Sequence, residues 1–280
     1  SPTSINDLKE AETNKADLFI GVTPIESQNI TASILAHNLG AKKTLARINN
    51  YEYLLPENQE FFKKLGIDAL IYPELLAAKE IVASLKMNWV RQWMEFSNGA
   101  LTLIGMKVRL NSQLVNKRLM DLKNSENYRI VAIQRNMETI IPKGSDEVNA
   151  NDIVYFITTK EYITEVRDQA GKEVINVKDV MFMGGGNITV KTVKSLPKDI
   201  DVKILEHNKL RINHLIEKVD NAMIINGDAR DLQILKEENI EQMDAFVALS
   251  ENSEANILSC LAAKRFGLQK TIAEVENIDY

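Results

Sequence analysis

The chain has 280 residues, 45% of them hydrophobic, which is enough to build the cores of two domains of ordinary size. Its formal net charge of −5 argues against a nucleic-acid-binding protein, because surfaces that track phosphates carry a basic excess. Its single cysteine, Cys260, cannot form an intrachain disulfide, and neither a membrane-spanning apolar run nor a secretory signal is present, so a soluble cytoplasmic protein is expected.

The front of the chain alternates helical segments with short apolar runs. LPENQEFFKKLG has helical spacing and is followed by the strand-like run IDALIY. The next segment, PELLAAKEIVASL, opens with Pro73, and proline is favoured at the first position of a helix. Single helices between apolar strands are typical of a parallel sheet.

The middle of the chain has a different pattern. The runs LTLIGMKV, YRIVAIQR, METIIP and DIVYFIT alternate more and predict strands, while LVNKRLMDL and KEYITEVRDQ predict helices among them. We therefore expect a small α+β module here.

The rear of the chain returns to strands alternating with helices. VKDVMFM, DVKILEH, NAMIING, DAFVALS and KTIAEVE predict strands, and each of the first four is followed by a segment of helical spacing. Strands that are apolar nearly throughout predict a parallel sheet covered on both faces, so the fold class is α/β.

The chain also contains an internal repeat. Residues Leu8 to Tyr53 align without a gap to Leu235 to Tyr280, and 14 of the 46 pairs are identical, including Asn29/Asn256 and Tyr53/Tyr280. The pattern indicates one domain present twice. Because the residues just before Leu235 have no counterpart ahead of Leu8, we expect the chain to be a fragment of a longer duplicated protein.

A glycine-rich turn carries the strongest functional signal. Gly184, Gly185 and Gly186 lie between a predicted strand and a predicted helix, where free backbone N–H groups and the helix dipole favour an anion. Gly184 permits the tight turn and Gly186 lets a pyrophosphate approach, but the third glycine of the dinucleotide pattern is replaced by Thr189. The alternative is a glycine turn without a ligand.

An acidic residue stands where a dinucleotide site needs one. Glu206 ends the second predicted strand of this part, 22 residues after Gly184, where a carboxylate can accept hydrogen bonds from ribose hydroxyls and favour NAD over NADP. A charged residue at a strand end is also common for structural reasons.

Further polar residues follow the third and fourth predicted strands. These residues are Gly227, Asp228, Ser250, Glu251 and Asn252. All are expected at the carboxyl edge of the sheet, where open α/β sheets bind ligands, although turns and helix caps use the same residue types. For Asn29 and Asn256, helix packing and ligand binding both stay open.

Catalytic and metal sites are not indicated. His37, His207 and His214 have no metal-ligand spacing, and no tyrosine precedes a lysine by four residues, the arrangement that serves as proton donor in some nicotinamide dehydrogenases. Cys260 lies in a helical apolar stretch and lacks an activating neighbour. No acid–base pair stands out.

With the duplicated segments, GGGNI, LEHNKLR, NGDA and IDALIYPELLAA together, the chain resembles the TrkA family, the nucleotide-binding subunits of bacterial Trk-type potassium uptake built from regulator-of-potassium-conductance (RCK) domains. The resemblance implies three parts. Residues 1–88 would be the rear half of a first Rossmann-like domain, 98–174 a small C-terminal module, and 176–280 most of a second Rossmann-like domain.

The resemblance also implies site residues. The family's phosphate loop falls on Gly184, Gly186, Asn187 and Ile188, its ribose acid on Glu206 and its nearby arginine on Arg211, and its adenine-side turn on Gly227, Asp228 and Ala229. In the first copy the phosphate loop is missing, so only Thr23 and Arg47 could represent that site.

What the resemblance implies for function is regulation. Family members bind NAD, NADH, ATP or ADP, assemble as dimers and rings, and gate a membrane-embedded Trk- or Ktr-type potassium channel subunit, which would place the protein at the inner face of the plasma membrane. We expect no enzyme activity. The alternatives are an NAD-dependent oxidoreductase on the same fold, or a duplicated RCK-type regulator of another transporter with a vestigial pocket.

Overall fold

The computed structural model describes residues 1–122, 126–172 and 176–276. The chain forms two compact units, the first being Ser1–Glu80 with Asn187–Ser195 and the second Ile81–Gly186 with Leu196–Tyr280. The domain division at 1–88, 98–174 and 176–280 stays a prediction, since these units cut the chain elsewhere. The repeat partners Asn277 and Tyr280 lie outside the described residues.

The front segment is built on a three-stranded parallel sheet in the order β1-β2-β3. Its elements are α1 (Ile5–Glu10), β1 (Phe19–Gly21), α2 (Glu26–Leu39), β2 (Thr44–Arg47), α3 (Pro56–Lys64), β3 (Ala69–Ile71) and α4 (Pro73–Lys86). The helix α2 ends at Gly40, whose φ of 112° is left-handed and suits glycine. Ala46, Phe62 and Ile67 form the centre of a small core between sheet and helices.

The middle segment forms the expected small α+β module, with an antiparallel sheet in the order β4-β5-β10-β7-β8 and a short pair β6-β9. Its elements are β4 (Gln92–Phe96), β5 (Leu101–Lys107), β6 (Lys117–Arg118), β7 (Tyr128–Arg135), β8 (Glu138–Ile140), β9 (Glu147–Val148), β10 (Ile153–Thr158) and α5 (Ile163–Gln169). The edge strand β4 was not among the strands predicted from the sequence.

One predicted helix in this module is wrong. LVNKRLMDL does not form an α-helix; Asn116 has a left-handed φ of 58°, and β6 follows it, pairing with β9. The apolar spacing resembles that of a helix, but pairing with a distant strand and the turn at Asn116 override the local preference.

The rear segment is a five-stranded parallel sheet in the order β13-β12-β11-β14-β15. Its elements are β11 (Asp179–Met183), α6 (Asn187–Ser195), β12 (Asp201–Glu206), α7 (Lys209–Lys218), β13 (Met223–Asn226), α8 (Leu232–Glu237), β14 (Ala245–Ala248), α9 (Ser253–Arg265) and β15 (Lys270–Ala273). This is the doubly wound order of the Rossmann fold, so the predicted α/β class is confirmed.

The strand order places a crevice between β11 and β14. The chain leaves β11 toward β12 and β13, then returns to the other side of β11 to form β14. At such a reversal the connecting helices lie on opposite faces of the sheet, which leaves an opening beyond the carboxyl ends of the two strands. The glycine loop and Ser250 follow these two ends.

The two copies of the repeat have the same strand register. Phe19 pairs with Thr44 in the parallel β1–β2 ladder, and Phe246 pairs with Thr271 in the β14–β15 ladder, each shifted by the repeat offset. The duplication seen in the sequence is therefore a duplication of local structure. None of the helices in the described ranges is long and apolar enough to cross a lipid bilayer.

Candidate functional site

A cavity of about 210 Å³ lies at the carboxyl edge of the five-stranded sheet. It is lined by Met183, Gly184, Leu205, Glu206, His207, Arg211, Gly227, Asp228, Ala229, Arg230, Ser250, Glu251, Asn252 and Ala255. These residues come from the ends of β11, β12, β13 and β14 and from the helices α7 and α9. Nine of the predicted site residues thus share one cavity, although they are spread over 69 positions of the sequence, from Gly184 to Asn252.

Gly184 makes the tight turn that ends β11. Its φ of 96° is left-handed, and a Cβ added there would lie 2.7 Å from the Leu249 carbonyl oxygen. Its N–H donates to the Leu205 carbonyl at 2.9 Å, which joins the turn to β12. A side chain at this position would therefore separate β11 from β14.

The surroundings of Gly186 are more open. Apart from Gly186 itself and its neighbours in the chain, no described atom lies within 4 Å of the position that its Cβ would occupy. The space beside this backbone is thus open to an incoming group, as close approach of a phosphate requires.

Glu206 is buried at the floor of the cavity, with 2% of its surface exposed. Its Oε2 accepts a hydrogen bond from the Gly185 N–H at 2.8 Å, and its Oε1 accepts one from the Asn208 N–H at 2.8 Å. The His207 Nδ1 lies 3.4 Å from the same Oε1. Because a carboxylate offers about four acceptor positions, each oxygen can take a further donor.

The turn after β13 carries a charged pair, Asp228 and Arg230, of which the sequence predicted only Asp228 as a site residue. The Arg230 guanidinium donates to both carboxylate oxygens of Asp228 at 2.5 to 3.0 Å. These hydrogen bonds hold the pKa of Asp228 below its usual range. Gly227 donates its N–H to the Glu206 carbonyl at 3.1 Å, which fixes the start of this turn.

Arg211 and Glu251 form an ion pair at the cavity rim. Arg211 lies in the first turn of α7, and Glu251 follows β14, so the pair joins the two sides of the crevice. The Glu251 side chain is 82% exposed, which makes the pair easy to open. The sequence indicated these residues as separate ligand contacts, and the structure brings them together with each other.

Asn256 has a structural role. It is fully buried, and its Nδ2 donates to the carbonyls of Ser250 at 2.8 Å and Glu274 at 2.9 Å. Its Oδ1 accepts from the Ser250 N–H at 3.0 Å and the Ser250 hydroxyl at 2.6 Å. The amide thus fixes the loop after β14 from beneath the cavity.

The first copy has the same arrangement. Asn29 donates to the carbonyls of Thr23 at 2.8 Å and Arg47 at 3.1 Å, and accepts from the Thr23 N–H at 2.7 Å. All three residues are offset from their second-copy counterparts by the repeat length. Of the two interpretations that the sequence left open, packing is therefore the one that the geometry supports for Asn29 and Asn256.

The remaining predicted loop residues do not line the cavity. Gly186 is half-buried, Asn187 and Ile188 begin α6, and Asn187 is exposed. Thr189, which replaces the third glycine, is fully buried in α6. The helix therefore accommodates the threonine side chain.

The described residues show few features of a catalytic centre. Burial raises the pKa of the Cys260 thiol to about 11, so the reactive thiolate is scarce at neutral pH. Within the described ranges no group of three or more histidine, cysteine, aspartate or glutamate side chains is placed to hold a metal ion.

Comparison with protein families gives two matches. Residues 1–73 and 180–280 match the TrkA-N domain family, and residues 103–171 match the TrkA-C domain family. The chain is 34% identical over 285 aligned positions to the Trk system potassium uptake protein TrkA of Haemophilus influenzae, covering 100% of the chain and 62% of that protein. A Methanosarcina mazei homolog of TrkA is 32% identical, with 94% of the chain and 61% of that protein covered. The chain thus spans about three fifths of the length of these relatives.

Comparison with solved structures agrees on the fold. The GsuK RCK domain superposes with a TM-score of 0.61 at 12% identity, over 97% of the chain and 62% of that structure. The GsuK channel bound to NAD gives a TM-score of 0.61 at 12% identity, over 97% of the chain and 52% of that structure. At this identity the likeness establishes the shared fold alone.

Proposed function

Because the chain belongs to the TrkA family, we propose that it is the nucleotide-binding regulatory part of a potassium uptake system. The observation that carries the proposal is the cavity itself. A glycine loop, a buried carboxylate and a polar rim meet at the crevice where doubly wound sheets bind nucleotides.

The ligand class proposed is an adenine nucleotide, with NAD or NADH first and ATP or ADP as further members. The backbone at Gly186 and the start of α6 would hold the phosphates, since helix N-termini attract anions. The free acceptor positions of Glu206 would take the ribose hydroxyls, and the turn at Gly227, Asp228 and Ala229 would border the base. The GsuK channel, which has the same fold, has been solved with NAD, so this fold can hold such a ligand.

Regulation follows if the ligand binds one arrangement of the domains better than another. Only a difference in affinity between two arrangements can shift their equilibrium, and the size of that difference limits the work done on a partner. We propose that the partner is a membrane-embedded potassium transporter of the Trk or Ktr type, and that the protein acts as a dimer or higher ring on its cytoplasmic side. No enzyme activity and no nucleic-acid partner are part of this proposal.

The ligand proposal is tested by thermal unfolding of the purified chain with NADH, NAD, ATP and ADP at increasing concentrations. A ligand that binds only the folded protein raises the midpoint progressively, and the size of the rise ranks the four nucleotides. A midpoint that no nucleotide moves would contradict the proposal and indicate a vestigial pocket. A parallel assay of nicotinamide oxidation with a broad set of substrates tests the oxidoreductase alternative, which any rate above background would support.

A further inference from the structure

The helix that follows the glycine loop packs with the front segment of the chain. The helix α6 starts at the residue after Gly186, yet Asn187–Ser195 belongs to the first compact unit, together with Ser1–Glu80. Its buried side chains are Thr189, Val190, Thr192 and Val193. The glycine loop, which would hold the phosphates, therefore continues along the chain into a helix that belongs to the same compact unit as the first copy of the repeat.

Lys191 makes a specific contact within this unit. Its ammonium nitrogen lies 4.0 Å from the centroid of the Tyr51 ring and 5.7 Å from that of Tyr72. The two rings are 6.3 Å apart and tilted by 48°, so they form two sides of an aromatic notch around the ammonium group. A lysine within about 6 Å of a ring centroid is attracted by the negative face of the ring.

The notch belongs to the carboxyl edge of the front sheet. Tyr72 follows β3 and is 5% exposed, whereas Tyr51 lies in the turn after β2 and is 43% exposed. Tyr72 is thus fixed in the core, and Tyr51 is the side that can move. A displacement of Lys191 would act first on the turn that carries Tyr51.

A nucleotide at the glycine loop would contact the start of α6. The first turn of a helix attracts anions, so phosphates bound there would change the position of this turn. Lys191 is the fifth residue of α6, one turn after Asn187. Fixing the first turn would fix the direction from which Lys191 enters the notch.

We propose that Lys191, held between Tyr51 and Tyr72, couples the nucleotide site to the front copy of the duplicated domain. This inference rests on the proposed function, because it requires a nucleotide at the loop. The coupling is reciprocal: a nucleotide orders the Tyr51 turn, and an intact notch strengthens nucleotide binding.

The test is hydrogen–deuterium exchange of the whole chain with and without saturating NADH, with binding measured in parallel by calorimetry. In the wild type, exchange in residues 48–55 is expected to slow about fivefold on binding, within the range of ordinary coupling between sites. Lys191→Ala is expected to bind NADH about threefold more weakly and to lose the slowing. Lys194→Ala is the matched control, since Lys194 is an exposed lysine on the same helix.

The Tyr51 variants separate coupling from folding. Tyr51→Phe keeps the aromatic ring, so NADH is expected to slow exchange in residues 48–55 of this variant as it does in the wild type. Tyr51→Leu lacks the ring and is expected to bind NADH without slowing exchange in these residues. Slowing that survives in both Lys191→Ala and Tyr51→Leu would overturn the coupling. Binding in the wild type without any slowing would overturn it too while leaving the proposed function intact, whereas absence of NADH binding to the wild type would overturn both.

Discussion

The Oε2 atom of Glu206 accepts a hydrogen bond of 2.8 Å from the backbone N–H of Gly185. The acid that ends β12 is therefore hydrogen-bonded to the glycine loop that ends β11. The two interpretations that the sequence left open are thus compatible, because a side chain that could bind ribose also fixes the loop that would bind the phosphates. Both tasks depend on a carboxylate, because only an ionised acid accepts at both oxygens.

Glu206→Gln should destabilise the chain. The new amide group would present a donor to either the Gly185 or the Asn208 N–H, and an unsatisfied buried donor costs about 2 kcal/mol. Urea unfolding followed by circular dichroism measures this loss. The control is Glu217→Gln on the exposed face of α7, which should leave the midpoint unchanged. Equal midpoints for both variants would mean that the carboxylate does not fix the loop.

Asn256→Ala and Asn29→Ala should each cost about 2 kcal/mol of stability, since either change leaves several partly buried backbone groups without their hydrogen-bond partner. The two losses should be similar, because the arrangement is the same in both copies. Asn38→Ala, at an exposed position of α2, is the control. Thermal unfolding measures all three, and a cost confined to one copy would show that the copies use this asparagine differently.

Arg230 should influence stability in a pH-dependent way. Hydrogen bonds from Arg230 lower the pKa of Asp228 from its ordinary value of 3.8. The ionised pair therefore stabilises the fold above that value, and this contribution is lost as pH falls through the lower pKa of the folded state. Arg230→Gln should have a slightly lower unfolding midpoint than the wild type at pH 6, and this difference should become smaller as the pH falls toward 2.5. The effect is small because both side chains reach solvent.

A scan of unfolding midpoints from pH 6 to pH 2.5 checks this prediction. Arg265→Gln, an exposed arginine near the end of α9, should shift the midpoint by the same amount at every pH. A constant difference between Arg230→Gln and the wild type across the scan would contradict the assignment of the lowered pKa to this pair.

Glu251→Gln should tighten nucleotide binding by about threefold, and Arg211→Gln should weaken it by about tenfold. Glu251 occupies the guanidinium that would otherwise face the negatively charged ligand, so removing its charge frees Arg211. Both affinities are measured by calorimetry with NADH at two salt concentrations, because charge effects at an exposed rim weaken with salt. Weaker binding by Glu251→Gln would show that Glu251 contacts the ligand itself.

The sequence was sufficient to predict the parallel sheets, the duplication and most of the polar residues that line the cavity, although Gly186, Asn187 and Ile188 lie outside it. Period and strand-end position, which are local properties of the chain, carry most of that information, while Arg211 and Ala229 came from the family resemblance. The Gly184 turn and Glu206 followed from their place after buried strands, and the structure brings them into one cavity.

What the sequence did not predict depends on partners far along the chain. LVNKRLMDL has helical spacing, but its residues Lys117 and Arg118 pair with the distant strand β9. No local sequence pattern predicts this pairing. Arg230 is the exception, since its partner Asp228 is only two positions away. Arginine is common in exposed turns, so the pairing is evident only from the structure. Packing of Lys191 against Tyr51 joins residues separated by 140 positions, beyond the reach of any window of sequence.

The most direct measurement of the central claim is calorimetric titration with NADH of the wild type, Gly186→Asp and Asn221→Asp. Gly186 has open space at its Cβ position, so the aspartate should fold normally while placing a negative charge where the phosphates would lie. Asn221→Asp adds the same charge at an exposed loop position. The account predicts saturable binding to the wild type and to Asn221→Asp, and binding at least about tenfold weaker to Gly186→Asp. Unchanged binding by Gly186→Asp, or no binding of NADH by the wild type, would contradict it.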